Sequence, residues 1–194
     1  MRLIATFYAA VYILMIGVAF ILPFFSSESY SIIQHSLSEL GAQATPGNWI
    51  MNGVFILLSI ATVLLGTKAL RRFWLPLYLL YFFAIALFLT AIYRHAPING
   101  STFLEREDLL HTVFSFVTGT TFTIFCVAVA FVIKEKIPRA SAIFMCTLSI
   151  GLPLLMLMYP DYQGIFQRIL FITAFGWLFY SLVSFKFENT LKKV

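Results

Sequence analysis

Six apolar stretches occupy most of this sequence, and each is long enough to cross a bilayer as a helix, which needs about 20 mainly apolar residues. They run over residues 3–25, 49–70, 74–93, 109–133, 140–158 and 165–185. The connections between them are short apart from residues 26–48, so little of the chain is left for a domain in water. The pattern predicts an all-α polytopic membrane protein, a single domain consisting of a bundle of six transmembrane helices.

The composition favours lipid as the solvent. Of the 194 residues, 61% are hydrophobic and 11% are charged, whereas soluble domains carry about 25% charged residues. Too few polar side chains remain to cover a water-soluble globule, and the mean hydropathy is +0.93. The first stretch is longer than the apolar core of a signal peptide, which is roughly 7–15 residues. We therefore expect it to be retained as a helix.

The basic residues divide unequally between the two sides of the predicted membrane. One side carries ten of the 13 Lys and Arg residues and the other carries three. Because cytoplasmic loops are enriched in Lys and Arg, we predict a cell (plasma) membrane protein with the basic side and both termini in the cytoplasm. The ten are Arg2, Lys68, Arg71, Arg72, Lys134, Lys136, Arg139, Lys186, Lys192 and Lys193, and the three are Arg94, Arg106 and Arg168.

The residues suited to chemistry lie mostly on the opposite, outer side. Six of the eight acidic residues and all three histidines fall there: Glu28, Glu39, Glu105, Glu107, Asp108, Asp161, His35, His95 and His111. The net charge of +5 is explained by the basic residues that mark the predicted cytoplasmic side. No basic stripe interleaved with aromatic residues is present, so nucleic acid is not an expected partner.

The first outer connection, residues 26–48, is predicted to contain a short amphipathic helix. Residues 32–40 have helical spacing, with Ile33, Leu37 and Leu40 on one face and His35 and Glu39 on another. Gly41 is expected to end this helix in a left-handed conformation. His35 and Glu39 form either a polar pair directed into a site, or a solvated histidine beside a carboxylate that caps or pairs with a neighbouring helix.

Polar residues also mark the start of the fourth and sixth stretches. Asp108, His111 and Ser115 share one helical face, which predicts either a polar pocket or hydrogen-bonded helix packing. Arg168 lies about one turn into the sixth stretch, where a cation needs a partner. Glu39 and Asp108 are the candidate partners in an interhelical ion pair. Arg168 is alternatively a contact for the phosphate or carboxylate of a lipid or small ligand.

Several of these residues belong to segments with a familiar pattern. The segment Ser36-Leu37-Ser38-Glu39-Leu40-Gly41-Ala42, followed by Pro46 and Asn52, resembles the signature of a family of bacterial and archaeal membrane proteins, domain of unknown function 998. Leu110-His111-Thr112 and Gly164-Ile165-Phe166-Gln167-Arg168, which leads to Trp177, agree with it. Members commonly carry an acidic or cysteine-bearing segment where this chain has Arg94-His95-Ala96-Pro97. The resemblance implies six helices, groups Ser38, Glu39, His111, Gln167 and Arg168, and implies no activity.

Three functions remain open from the sequence. The first is a polar pocket at the outer face that binds a membrane lipid or a small amphiphilic ligand through Ser38, Glu39, Asp108, His111, Gln167 and Arg168. The second is a membrane-embedded hydrolase, with His35, Glu39 and His111 as ligands for zinc, which needs about three protein ligands. The third is a structural or accessory protein in which these residues hold helices together. No nucleotide loop, haem attachment sequence or flavin motif indicates a cofactor.

Overall fold

The computed structural model describes residues 1–99 and 102–185. Within these residues the chain forms seven α-helices and no strand. The six long helices are α1 (Arg2–Ile21), α3 (Asn48–Leu70), α4 (Trp74–Ile92), α5 (Glu105–Val132), α6 (Lys136–Met158) and α7 (Gln163–Ser184). The short helix α2 (Leu37–Leu40) and the 3-10 helices Leu22–Phe25 and Pro160–Tyr162 lie in the connections.

The described elements are all helical, which confirms the predicted all-α class. The six long helices are each long and apolar enough to cross a membrane. Most of their ends agree with the predicted stretches within a few residues, but α5 and α6 begin four residues earlier, at Glu105 and Lys136. An apolar stretch marks only the part of a helix that lies in hydrocarbon, and the helix itself can continue beyond that stretch into water. In α5 the early start is favoured by three acidic residues in its first turn, Glu105, Glu107 and Asp108.

Consecutive long helices pack side by side from α3 to α7, and α1 packs against both α3 and α7. Large side chains from different helices fill the interior, including Tyr8, Phe55 and Phe125, which are fully buried. Large apolar side chains also cover the outside of the bundle, as in Phe116 and Phe131. A soluble bundle would place polar residues there, so the outward faces fit a lipid environment.

The two ends of the bundle differ in construction. At one end, which we name the hairpin end, residues 71–73 and 133–135 reverse the chain between adjacent helices. At the other, which we name the loop end, residues 22–47, 93–104 and 159–162 connect the helices. The basic residues Lys186, Lys192 and Lys193, which follow α7, lie outside the described residues. The loop end contains the predicted site residues.

The first connection differs from its prediction in the length of its helix. Only Leu37–Leu40 are helical, whereas residues 32–34 form turns. The physical reason is that the carbonyls of Ile32, Ile33 and His35 accept hydrogen bonds from α7 instead of continuing a local helix. Leu37 and Leu40 are fully buried, while Ile33 is 48% exposed and does not share their environment.

Gly41 does not adopt the predicted left-handed conformation, since its φ is −90°. Its lack of a side chain serves a close approach instead. A Cβ at this position would overlap the side-chain amide of Asn52 on α3. The same amide donates a hydrogen bond to the Gly41 carbonyl at 2.9 Å. Gly41 and Asn52 therefore fasten the end of α2 to α3.

Candidate functional site

Arg168 is the centre of the polar residues at the loop end. It lies in the second turn of α7 and is 3% exposed. Its guanidinium donates five hydrogen bonds, four to backbone carbonyls and one to a hydroxyl. The acceptors are the carbonyls of Ala19 (3.2 Å), Ile32 (3.0 Å), His35 (2.9 Å) and Gly164 (3.0 Å) and the Tyr30 hydroxyl (2.7 Å). This one side chain therefore joins α1, the first connection and α7.

The prediction that Arg168 forms an ion pair with Glu39 or Asp108 is wrong. Among the described residues, its guanidinium forms an ion pair with neither carboxylate. The reason is that residues 30–36 turn several carbonyl oxygens towards α7, and these oxygens surround the planar group. Charged donors form stronger hydrogen bonds than neutral ones, so carbonyl dipoles replace a carboxylate as the partners of the cation.

Tyr30 supports this arrangement as both acceptor and donor. Its hydroxyl accepts from Arg168 and lies within hydrogen-bond distance of the carbonyls of His35 (3.0 Å) and Ser36 (2.7 Å). Burial raises the pKa of Tyr30 to about 12, although the nearby guanidinium lowers it. The hydroxyl therefore keeps its proton at neutral pH and remains a donor. The guanidinium carbon also lies 5.8 Å from the centre of the Tyr30 ring, a cation–π contact.

The first turn of α7 is capped by the backbone of the first connection. The amides of Gly164 and Ile165 donate to the Ile33 carbonyl at 3.0 and 3.3 Å. Such amides have no acceptor within their own helix, so Ile33 supplies the acceptor that a capping side chain would otherwise provide. The approach requires glycine at position 164, because a Cβ there would overlap the carbonyl oxygens of Ile32 and His35.

Glu39 acts mainly within α2. Its carboxylate accepts from the Ser36 amide at 2.6 Å, and its own amide donates to the Ser36 hydroxyl, which completes a capping box. Two glutamines of α7 add contacts: Gln163 donates to the Glu39 carboxylate at 3.5 Å, and Gln167 accepts from the Leu37 amide. We name Tyr30, residues 32–39, Gln163, Gln167 and Arg168 the Arg168 cluster.

A second set of polar residues joins the connection between α4 and α5 to the start of α5. Asp108 accepts from the Ala96 amide at 2.7 Å and lies 3.7 Å from Nδ1 of His95. Arg94 pairs with Glu107 at 3.1 Å, but these side chains are 40% and 24% exposed. Solvent-exposed pairs contribute only about 0–1 kcal/mol, so the Asp108 contact is the better anchor of this connection.

His111 fixes the end of α4 to α5. Its Nδ1 lies 2.9 Å from the Thr90 carbonyl and 2.8 Å from the Tyr93 carbonyl, so Nδ1 must carry the proton that it donates. The residue is 4% exposed, and its ring meets the His95 ring edge to face at 5.2 Å. His111 thus satisfies carbonyls at the end of α4 that have no partner in that helix. We name residues 94–96, Glu107, Asp108 and His111 the His111 cluster.

Gln43 joins the first connection, just after α2, to the connection between α4 and α5, and it was not identified from the sequence. Its amide nitrogen donates to the carbonyls of Arg94 and Leu104, and its amide oxygen accepts from the Leu104 backbone. Its own backbone N–H donates to the His95 carbonyl at 2.9 Å. The residue is 6% exposed. The only local signal is a glutamine between two alanines in a connection, which does not reveal these partners.

The predicted site residues therefore separate into two groups. The Arg168 cluster contains Ser38, Glu39, Gln167 and Arg168, and the His111 cluster contains Asp108 and His111. Ser38 takes part through its carbonyl, which accepts from the Gly41 amide at 3.0 Å. Of the residues grouped by the family resemblance, Ser38, Glu39, Gln167 and Arg168 lie at the contact between the first connection and α7, whereas His111 lies in the other cluster.

The zinc alternative needs its ligands in one place. His35 belongs to the Arg168 cluster, where its Nδ1 accepts from the Ser31 amide at 2.8 Å, while His111 faces the end of α4. Across residues 1–99 and 102–185, no group of three His, Cys, Asp or Glu side chains is placed to hold a metal ion. The described residues therefore do not fit the predicted ligand set of His35, Glu39 and His111.

The surface of the bundle has two open grooves, and both are apolar. One, of about 300 Å³, lies between α1 and α3 and includes Gly17, Ile21 and Ile50. The other, of about 270 Å³, lies between α3 and α4 and includes Ile60 and Ile85. Neither is lined by the charged members of the Arg168 or His111 clusters. The polar atoms of those clusters contact the protein itself rather than surround one of these grooves.

Comparisons with known proteins give one match. The family model described as "Protein of unknown function (DUF998)" matches residues 7–184, which is most of the chain and includes both clusters. No curated protein and no solved structure matches the sequence. The comparisons thus identify a family and assign no activity.

Proposed function

This chain belongs to the DUF998 family of proteins of unknown function, and we propose that it is a non-catalytic structural or accessory protein of the plasma membrane. In this proposal it crosses the membrane six times with both termini in the cytoplasm, and the loop end forms an ordered cap on the outer face. The observation that carries the proposal is that the predicted site residues form hydrogen bonds to the backbone of the protein itself.

The distribution of charge supports this orientation. The hairpin end and the two terminal segments carry ten of the 13 Lys and Arg residues, and the loop end with the helix starts beside it carries three. Short connections with such an excess are retained in the cytoplasm. The loop end, with its acidic residues and histidines, is then the outer end.

A matched pair of cysteine substitutions tests the orientation. Glu28 at the loop end and Glu135 at the hairpin end are both exposed. In a background in which Cys126 and Cys146 are replaced by serine, we expect a membrane-impermeant maleimide to label Glu28→Cys in intact cells. Glu135→Cys should be labelled only after permeabilisation. The reverse pattern, or equal labelling of both variants in intact cells, would contradict the proposed topology.

The hydrogen-bond partners support a structural role over a binding role. Arg168, Gln167 and Asp108 contact main-chain groups of the two outer connections. Backbone groups buried without a partner cost about 1–3 kcal/mol each, so these side chains hold the connections against the helix ends. A residue kept for ligand binding would instead direct its polar atoms into an open cavity.

Two substitutions with one control test the structural role. Asp108→Ala and Gln167→Ala are each expected to reduce the free energy of unfolding by about 1–2 kcal/mol, because each leaves a backbone amide without its acceptor. Asp161→Ala, at an exposed position of the same end, should have almost no effect. The measurements are unfolding by SDS titration and the identity of co-purified lipids. Unchanged stability together with loss of a specific lipid would reject the structural role.

A second candidate function is binding of a lipid or small amphiphile at the loop end. The groove between α1 and α3 favours it, because this groove reaches Leu22 and Phe25 at that end. Phe24, Phe25 and Trp49 are more than 70% exposed beside it, as expected for aromatic residues near headgroups. In this candidate an acyl chain occupies the groove, and the lipid analysis described above distinguishes it from a purely structural role.

A further inference from the structure

Three basic residues at the hairpin end have no partner within the described part of the chain. Lys68, Arg71 and Arg72 lie close together in sequence at the end of α3, and all three are exposed. None of the three forms a side-chain hydrogen bond or ion pair with another described residue. By contrast, Arg139 at the same end donates two bonds to the Ile133 carbonyl. Three cations within five positions therefore face the surroundings of the protein without a countercharge.

The apolar groove between α3 and α4 ends on the α3 side at Leu64, four residues before Lys68. Ile60 and Leu64 line the groove from α3 and are 42% and 44% exposed. Lys68 follows them with the spacing of four residues that places side chains on one helical face. The groove is walled on the α4 side by Ile85 and Phe88. The apolar groove, of about 270 Å³, and Lys68 therefore lie along the same face of α3, with Arg71 and Arg72 following at its end.

Aromatic residues mark the level of this basic group in a bilayer. Trp74 and Tyr78 at the start of α4 are 70% and 56% exposed, with their ring centres 6.4 Å apart. Trp and Tyr are enriched at the boundary between hydrocarbon and headgroups. We therefore expect the connection 71–73 to lie at headgroup level and the groove, which is lined further along α3 and α4, to lie in the hydrocarbon.

We propose that this face binds one anionic phospholipid. The phosphate contacts Lys68, Arg71 and Arg72, and one acyl chain lies in the groove beside Ile60 and Leu64. The guanidinium groups match the geometry of phosphate oxygens, and a lipid with net negative charge supplies the countercharge that the described residues lack. The site lies at the opposite end from the polar clusters and goes beyond the structural role proposed above.

The test titrates full-length protein in mild detergent with dioleoyl phosphatidylglycerol or dioleoyl phosphatidylcholine and measures bound lipid by native mass spectrometry. We expect the protein to bind the anionic lipid at least about tenfold more tightly, since each basic residue near a headgroup adds to the attraction. The triple variant Lys68→Gln, Arg71→Gln and Arg72→Gln should lose this preference. The control triple Arg2→Gln, Lys134→Gln and Lys136→Gln removes the same charge from the same end and should keep it.

A second pair of variants tests the groove without changing charge. Ile60→Trp fills the groove from its exposed side and should weaken binding of the anionic lipid several-fold. Ile124→Trp, at a similarly exposed position on α5 (48%), should leave binding unchanged. Equal loss of preference in both triple variants would reduce the effect to net charge and overturn the proposal. Full displacement of the lipid by inorganic phosphate, or equal binding by wild type and Ile60→Trp, would also overturn it.

Discussion

Replacing Arg168 with alanine is expected to reduce the free energy of unfolding by about 3 kcal/mol or more. The substitution removes five hydrogen bonds and takes the guanidinium donor away from the carbonyls of Ala19 and Ile32, whereas the His35 carbonyl keeps the Tyr30 hydroxyl as a donor. Because Arg168 is only 3% exposed, water has little access to the carbonyls that the guanidinium leaves behind. Unfolding by SDS titration from mild-detergent micelles measures the effect, and the loop end should become more sensitive to added protease.

Two further variants separate the geometry of Arg168 from its charge. Arg168→Lys keeps the positive charge, but an ammonium has three donors and no planar fork. It is expected to recover only part of the stability, because one compact group does not reach both Ala19 and Tyr30. Arg94→Ala removes an arginine that is 40% exposed and should cost less than about 1 kcal/mol. Full recovery by lysine, or an equal effect at Arg94, would contradict the assigned role of the guanidinium.

Gly164→Ala is the second substitution with a large expected effect. The added Cβ would overlap the carbonyl oxygens of Ile32 and His35, which are backbone atoms held by Arg168. The first connection must therefore move away from α7. We expect the free energy of unfolding to fall by about 1–3 kcal/mol, as is typical of overpacking. The measurements are the SDS unfolding transition and proteolysis within residues 26–36, where cleavage should become faster.

Gly53→Ala is the matched control, because a Cβ at that helical position meets no atom within 4 Å. Alanine is favoured over glycine within a helix by roughly 0.5–1 kcal/mol, so this variant should be as stable as the wild type or slightly more stable. If the two glycine variants behaved alike, the close approach of the first connection to α7 would not be what requires glycine at position 164.

The six spans could be predicted because the bilayer sets the length and the solvent of each helix. About 20 apolar residues in sequence have few other stable arrangements in lipid. The helix ends were harder to predict from the sequence where a helix continues beyond its apolar stretch into water. At α5 the acidic residues Glu105, Glu107 and Asp108 signal a helix start, but the apolar pattern begins only at Leu109.

The role of Glu39 can be predicted from the local sequence, whereas the partners of Arg168 cannot. Ser36 and Glu39 have the Ser-x-x-Glu spacing of a capping box, and this pattern alone indicates the contacts that the structure contains. The acceptors of Arg168 are mostly backbone carbonyls, which every residue carries and no sequence pattern marks. Their positions depend on the tertiary path of residues 19–36, so charge alone suggested a carboxylate partner instead.

The capping of α7 by the first connection has a consequence for biogenesis. Synthesis proceeds from the N-terminus, so the segments that carry the carbonyls of Ala19, Ile32 and Ile33 are made before α7. A helix that carries an arginine near its start is disfavoured in lipid by itself. The earlier segments thus carry the acceptors that Arg168 uses, and we expect α7 to insert into the membrane at less cost when these acceptors are already in place.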